Sequence, residues 1–279
     1  MKHTGTGVWS PHLRYGDDAA VADAAAELET LGYRAAWIPD VGGNVFEALD
    51  RLLAATTSMT IATGILNLWM HTAAEVAAWW SEQPEGHRSR LMLGLGVSHG
   101  PFIGDKYARP LGVMRDYLDE LDAGGVPAAS RCLAALGPKM LELARDRTAG
   151  AHPYNVPVAH TAQARAALGP DALLATEVMV VLDTDADRAR AVARQGLQHY
   201  TVLPNYTNNW RRYGYTDDEI TSLADRLIDD LVAWGDADTI AARIAAHRAA
   251  GADHICVQVL TETGEAPRDQ WRALAPALV

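Results

Sequence analysis

Short apolar runs alternate with amphipathic helical stretches about eight times along this chain, with no Ser-, Gly- or Pro-rich linker between them. That alternation limits the fold more than any single residue does. A run such as Leu91-Met92-Leu93-Gly94-Leu95-Gly96 has no polar position, so both of its faces must be buried. Strands of this kind, separated by helices, form a parallel sheet covered on both sides. An open doubly wound sheet and a closed barrel both meet that condition. Eight units within ~250 residues fit the closed (β/α)8 barrel better. The 279 residues therefore read as one α/β domain, residues 1–279.

The units follow in order. Gly5-Thr6-Gly7-Val8-Trp9 is the first strand. Asp17 and Asp18 open a helix with the apolar stripe Val21, Ala24, Leu28 and Leu31, closed by Gly32. Strands are predicted at Ala35-Ala36-Trp37-Ile38, at 59–64 and at 91–96, with helices around Phe46, Leu49 and Leu53 and over 73–80. Residues 113–121 read as helix and 131–135 as a short strand. Pro138 suits the first position of a helix over 139–147. The strand signal at Gly150-Ala151-His152 is weak, and that over 172–182 is strong. Residues 183–203 read as helix. The capping box Thr216-Asp217-Asp218-Glu219 starts another, with Ile220, Leu223, Leu227, Leu231 and Trp234 on one face. Asp238 caps a helix carrying Ile240 and Ile244. Gly251 closes it before the last strand, 254–260.

Charge and cysteine content narrow the partners. Lys plus Arg number 24 and Asp plus Glu 35, a formal net charge of −11. An acidic surface repels nucleic acid and anionic lipid, so the expected partner is a small molecule. Cys132 and Cys256 each sit in an apolar run without metal or redox spacing and read as buried structural thiols. The segment Met1-Lys2-His3-Thr4-Gly5 has no apolar signal core, and no apolar run reaches ~18 residues, so a cytoplasmic location without a membrane span is expected.

In a barrel, chemistry gathers just after the strands, at their C-terminal ends. That rule selects Ser10, His12 and Arg14; Asp40 and Asn44; Gly64, Asn67, Trp69 and His71; Ser98, His99 and Gly100; Gly137 and Lys139; and Gly150, Ala151 and His152. Polar groups thus collect beside tryptophans on one rim, a mixture that suits a flat aromatic ligand. Asp40 reads equally as a turn residue, His99 as a ligand of a backbone carbonyl, and Trp9, Trp37 and Trp69 as core. His247 falls within a helix and reads as packed or solvated. The string Gly94-Leu95-Gly96-Val97-Ser98-His99-Gly100 misplaces its third glycine for a dinucleotide loop. There is no phosphate-binding P-loop, no Gly-x-Ser-x-Gly elbow and no metal-spaced His/Cys cluster, so no metal is expected.

Three strings together, Trp37-Ile38-Pro39-Asp40, Ala62-Thr63-Gly64-Ile65-Leu66-Asn67 and Leu93-Gly94-Leu95-Gly96-Val97-Ser98-His99, resemble the bacterial luciferase-like flavin and deazaflavin oxidoreductases. Ala135-Leu136-Gly137-Pro138-Lys139-Met140, Gly150-Ala151-His152-Pro153-Tyr154 and Gly251-Ala252-Asp253-His254 are similar to the actinobacterial branch that uses coenzyme F420. The resemblance runs over roughly residues 5 to 275 and implies a single-domain (β/α)8 TIM barrel of the luciferase-like type. Its insertion region, between Gly100 and Arg131, is shortened here.

The resemblance also implies a site. The cofactor would lie across the rim, against a bulge with a non-prolyl cis peptide at Gly64-Ile65. Trp9, Asp40 and Asn67 would stand beside it, and Gly96, Val97 and Ser98 on its other side. Its phosphate would lie near Gly137, Lys139, Gly150 and Ala151. The glutamate tail of F420 would meet Lys106, Arg109 and Arg115. His99 is the preferred acid/base, with Asp40 and His12 next. Sugar-phosphate dehydrogenases of the family carry a histidine directly after the Asp, where this chain has Val41, and a glutamate where it has His99. Activity on a sugar phosphate is therefore not expected. The site is open, or covered by residues 205–215, which otherwise form a dimer contact; a homodimer is the family expectation. The function expected is an F420-dependent oxidoreductase moving a hydride between the deazaflavin C5 and a small organic substrate. The alternatives are an FMN-dependent monooxygenase or reductase and a non-catalytic cofactor-binding homologue.

Overall fold

The computed structural model describes residues 4–279; Met1, Lys2 and His3, the start of the segment read above for a signal core, lie outside the described residues. Ten parallel strands form one sheet: β1 (Gly5–Trp9), β2 (Ala35–Ile38), β3 (Thr60–Thr63), β4 (Leu66–Asn67), β5 (Leu91–Gly96), β6 (Arg131–Leu133), β7 (Gly150–Ala151), β8 (Leu173–Val181), β9 (Val232–Trp234) and β10 (His254–Val259). The sheet closes because β10 pairs on one side with β8, from His254↔Ala175 to Val259↔Val180, and on the other with β1. Eight strands make the ring: β1, β2, β3, β5, β6, β7, β8 and β10. The two remaining strands extend it. β4 carries the β3 position upward and pairs Asn67 with Gly96 of β5. β9 lies along the far end of β8. The predicted (β/α)8 barrel is the observed fold.

The barrel is filled from within by Trp9, Trp37, Met92, Cys132 and Cys256, with alanines between them. Large and small side chains alternate here because the interior has room for only a few bulky rings. Both cysteines are free and buried, as their apolar setting predicts. Trp37 stacks on His152 at 4.3 Å between ring centroids, and its indole N–H points to His254 Nε2 at 3.2 Å. Outside the strands, the apolar stripes of the helices cover the barrel. Helix Val45–Ala55, for example, buries Val45, Ala48, Leu49, Leu52 and Leu53, and Asn44 caps its free amides.

Where the sequence reading and the structure differ, a local conformation explains it. The single helix expected from Ile220 to Trp234 is two short ones, Asp217–Ser222 and Asp225–Leu231, followed by strand β9. Leu223 breaks it with φ +48°. A left-handed leucine costs about 1–2 kcal/mol. Its burial contributes about 1.5–3 kcal/mol, enough to offset that cost. The capping box of Thr216 and Glu219 is present. The helix expected over 183–203 spans only Ala186–Leu197, and a separate helix, Pro204–Arg212, follows it. Asp236, two places before the predicted Asp238, caps Ala237–Ala249. Strand β6 stops at Leu133, which leaves Ala134 and Ala135 on the rim. Among the described residues, no helix is long and apolar enough to cross a membrane.

Candidate active site

The C-terminal ends of the strands surround a cavity of about 670 Å³. A narrower chamber of about 300 Å³ lies beside it. Ile65, His99, His152, Tyr154 and Tyr206 line both, so the two spaces are joined.

The predicted residues are spread over the two spaces. Trp9, Asp40, Gly64, Ile65, Asn67, Ser98 and His99 line the larger space. Gly96, Val97 and Gly137 line the smaller one. Among those that line neither are His12, Lys139, Gly150 and Ala151. His12 sits in the helical turn His12–Tyr15, which Pro11 starts as soon as the chain leaves Ser10. Lys139 is exposed on helix Pro138–Arg147. Gly150 and Ala151 are strand β7 itself, inside the wall. A Cβ on Gly150 would fall 1.9 Å from the Leu173 carbonyl oxygen, so its smallness serves contact between strands. His152, next along, takes the rim position instead.

The Gly64-Ile65 peptide is cis, as the resemblance implied. The Trp9 indole N–H donates to the Gly64 carbonyl at 2.7 Å, which gives this tryptophan a polar task beyond packing. Trp69 does the same for the opposite wall, donating to the Val97 carbonyl at 2.7 Å. Asn205 Nδ2 donates to the Ser98 carbonyl at 3.3 Å. Between these two anchors Ser98 holds φ +54°, a left-handed conformation that serine rarely adopts and that clusters at functional sites.

Asp40 is fully buried at its side chain. Its Oδ2 accepts the Asn67 backbone N–H at 3.1 Å and lies 3.1 Å from His71 Nε2. Its Oδ1 has no partner among the described residues and belongs to a side chain lining the cavity. His71 faces the other way, into an outer groove with Asn44, Phe46 and Glu75. The strand-end rule had picked out both residues; their pairing joins two different loops and leaves no local sequence signal.

His152 is the second polar group of the cavity floor. Its Nδ1 lies 2.8 Å from the Ala175 carbonyl, which only accepts, so Nδ1 carries the proton. Burial pushes its pKa down to about 4. The ring is therefore neutral near pH 7 and presents Nε2 as an acceptor, without a partner among the described residues. His99 is also lowered by burial, and its buried Nδ1 is likewise unpartnered among the described residues. Its ring tilts on Tyr206 at 5.2 Å and meets the edge of Phe102 at 5.8 Å.

Helix Pro204–Arg212 covers the rim. It contributes Tyr206 to both spaces and Asn205, Asn208 and Arg212 to the smaller one. Trp210 pins it down by donating to the Asn155 carbonyl at 3.0 Å. Below it, the Tyr154 hydroxyl donates to Gln258 Oε1 at 2.7 Å and pairs with the Tyr200 hydroxyl at 2.9 Å. Tyr200, in the turn Gln198–Tyr200, and Arg212, at the end of the covering helix, were not singled out from the sequence, because they reach the site only through the fold. Glu177 of β8 is buried close by, accepts the Asn155 N–H at 3.2 Å, and is pushed up to about 8 by burial. His247, read as packed or solvated, is packed: its Nδ1 lies 2.9 Å from the Thr161 hydroxyl.

The smaller chamber differs in charge. Gly137 caps helix Pro138–Arg147, whose first free amides carry the positive end of the helix dipole. The Arg212 guanidinium comes within 3.8 Å of where a Gly137 Cβ would lie. Tyr107 and Pro110 line the same chamber, and exposed Lys106 and Arg109 flank them in sequence. Among the described residues no group of three or more His, Cys, Asp or Glu side chains is arranged to hold a metal.

Comparison with known proteins bears on the fold. Residues 4–123 match the family described as luciferase-like monooxygenase. An F420-dependent secondary alcohol dehydrogenase, solved with an F420–acetone adduct, superposes with a TM-score of 0.77 over 99% of both chains at 15% identity. The fold is that of the luciferase-like barrels. The coenzyme F420-dependent tetrahydromethanopterin reductase of Methanopyrus kandleri matches at a TM-score of 0.70 and 15% identity, over 99% of this chain and 98% of that one. The FMN-bound oxygenating constituent of 3,6-diketocamphane monooxygenase of Pseudomonas putida matches at 0.67 and 14%, over 99% and 96%. No curated protein matches the sequence.

Proposed function

We propose that this chain is an F420-dependent oxidoreductase acting on a small organic substrate. The observation that carries the reading is the pair of joined chambers. One is walled by aromatic and aliphatic side chains and holds the unpartnered Asp40 Oδ1, His99 Nδ1 and His152 Nε2. The other holds a helix N-terminus and Arg212. A flat ring joined to a phosphate fits that division, and the three unpartnered atoms of the larger chamber are left to a substrate beside the ring. When bound, the deazaflavin supplies or accepts the hydride at C5.

This chain's own residues do the rest. Gly64, Ile65, Asn67, Val97 and Ser98 support the ring. The amide end of helix Pro138–Arg147, from Gly137, and Arg212 hold the phosphate. Lys106 and Arg109, exposed next to the chamber-lining Tyr107 and Pro110, meet the anionic tail, with exposed Arg115 further along the following helix. FMN has no such tail, and this cluster favours F420 over FMN. His99 gives or takes the proton of the substrate at Nδ1, helped by burial that keeps its ring readily deprotonated. Asp40, steadied by His71 and the Asn67 amide, is a second proton acceptor. Helix Pro204–Arg212 excludes water from above.

The test is turnover. Protein loaded with reduced F420 under anaerobic conditions is offered a panel of ketones, aldehydes, imines and activated alkenes. Oxidation of the deazaflavin by at least one of them, lost in His99→Ala, supports the reading. Turnover only with FMN and oxygen, or with nothing in the panel, contradicts it.

A further inference from the structure

We infer that the larger chamber takes an uncharged, mainly apolar molecule bearing one hydroxyl or carbonyl group, and that it rejects anions. The oxidoreductase reading above supplies only the chemistry done on that molecule; the binding selectivity stands on the chamber itself.

The first ground is charge. No Lys or Arg belongs to the described residues lining the larger chamber. Arg212, the cation of the site, lines only the smaller one. Of the histidines in the larger chamber, His99 and His152 are both driven toward the neutral ring by burial. His199 stands at its exposed edge. An anion entering here would lose its hydration beside the Asp40 carboxyl and gain no fixed countercharge.

The second ground is the mouth. Val41, Phe102 and Met70 come from three different rim loops, line the chamber, and are 78%, 66% and 43% exposed. Large apolar side chains gathered at one opening mark a surface that apolar matter covers. The third ground is the set of buried polar atoms that the protein itself leaves without a partner. Asp40 Oδ1, His99 Nδ1 and His152 Nε2 are the buried unpartnered atoms of the lining. A single hydroxyl donates its proton to one acceptor among them and a carbonyl accepts from a donor such as a protonated His99, while the many hydroxyls of a polyol would lose water against Val41, Ile103 and Leu203.

Calorimetric titration of the 279-residue chain, with and without F420, tests this. The probes are 4-tert-butylcyclohexanol, methyl 4-hydroxycyclohexanecarboxylate and the free 4-hydroxycyclohexanecarboxylate. The two neutral probes are expected to bind at least about tenfold more tightly than the carboxylate. Val41→Lys, at an exposed position that the fold does not need, is expected to raise carboxylate affinity about fivefold or more. Carboxylate binding that vanishes in Arg212→Gln belongs to the smaller chamber and agrees with the inference. Carboxylate binding equal to that of the ester in both the unmodified protein and Arg212→Gln overturns it, as does failure of both neutral probes to bind. A chain that selects the ester yet never binds F420 keeps this inference and loses the oxidoreductase reading.

Discussion

Asp40 and His71 meet between two rim loops, Oδ2 to Nε2 at 3.1 Å, with Asp40 lining the cavity and His71 lining the outer groove. If Asp40 takes part in proton transfer, His71 acts through it. Asp40→Asn is then expected to lower kcat by roughly 10²-fold or more. His71→Phe is expected to lower it less, by about tenfold, by releasing the carboxylate from its set position. The double variant should resemble Asp40→Asn alone, because both changes remove one device. Steady-state kinetics on the four proteins decide; multiplicative losses would separate the two residues.

In the proposed reading His99 moves a proton and does not hold the cofactor. His99→Ala is expected to reduce kcat by about 10²–10⁴-fold while leaving the F420 Kd within about threefold. A large loss of F420 affinity with kcat intact would make His99 a cofactor-positioning residue instead.

The cations beside the smaller chamber are expected to divide the cofactor between them. Neutralising Lys106 and Arg109 together should weaken long-tailed F420 about tenfold and a tail-less form little. Arg212→Gln should weaken both forms alike. Fluorescence titration with the two cofactor forms reads this directly, and equal losses in the Lys106/Arg109 variant would put the tail elsewhere.

Glu177 makes the fold sensitive to alkali. Burial raises its pKa from 4.5 to about 8, so the folded chain holds a proton that the unfolded chain releases over that interval. Its stabilising share is complete below pH 4.5, falls as the pH rises, and is lost as the pH passes 8. The buried histidines His152, His160 and His247 run the opposite way: lowered to about 4 from 6.5, they destabilise as the pH falls through that interval. Glu177→Gln leaves the histidines alone, so its stability relative to the unmodified protein should rise between pH 5 and 8 by on the order of 3 kcal/mol. Urea unfolding at the two pH values checks it; parallel profiles would mean that Glu177 titrates normally.

The fold was legible because fully apolar runs such as Leu91–Gly96 allow only a strand buried on both faces. Strand β9 was not, since Leu227, Leu231 and Trp234 fall at helical spacing and only the left-handed Leu223 breaks the pattern. Within the site, strand-end position found Asp40, Asn67, Ser98 and His99, which line the cavity. It misplaced Gly150 and Ala151, because small residues look the same whether a phosphate or the backbone of β8 approaches them. The segment 205–215 was legible as a possible cover, and helix Pro204–Arg212 does lie over the rim with Tyr206 and Arg212; Tyr200, in the turn Gln198–Tyr200 before it, carried no local signature.

The most direct test of the central claim is an anaerobic titration of the purified chain with F420 and, separately, with FMN, followed by the fluorescence of tryptophan, Trp9 being in the cavity wall. Tight binding of F420 with weak binding of FMN is the predicted result. Tight FMN binding with weak F420 binding, or no binding of either, would contradict it.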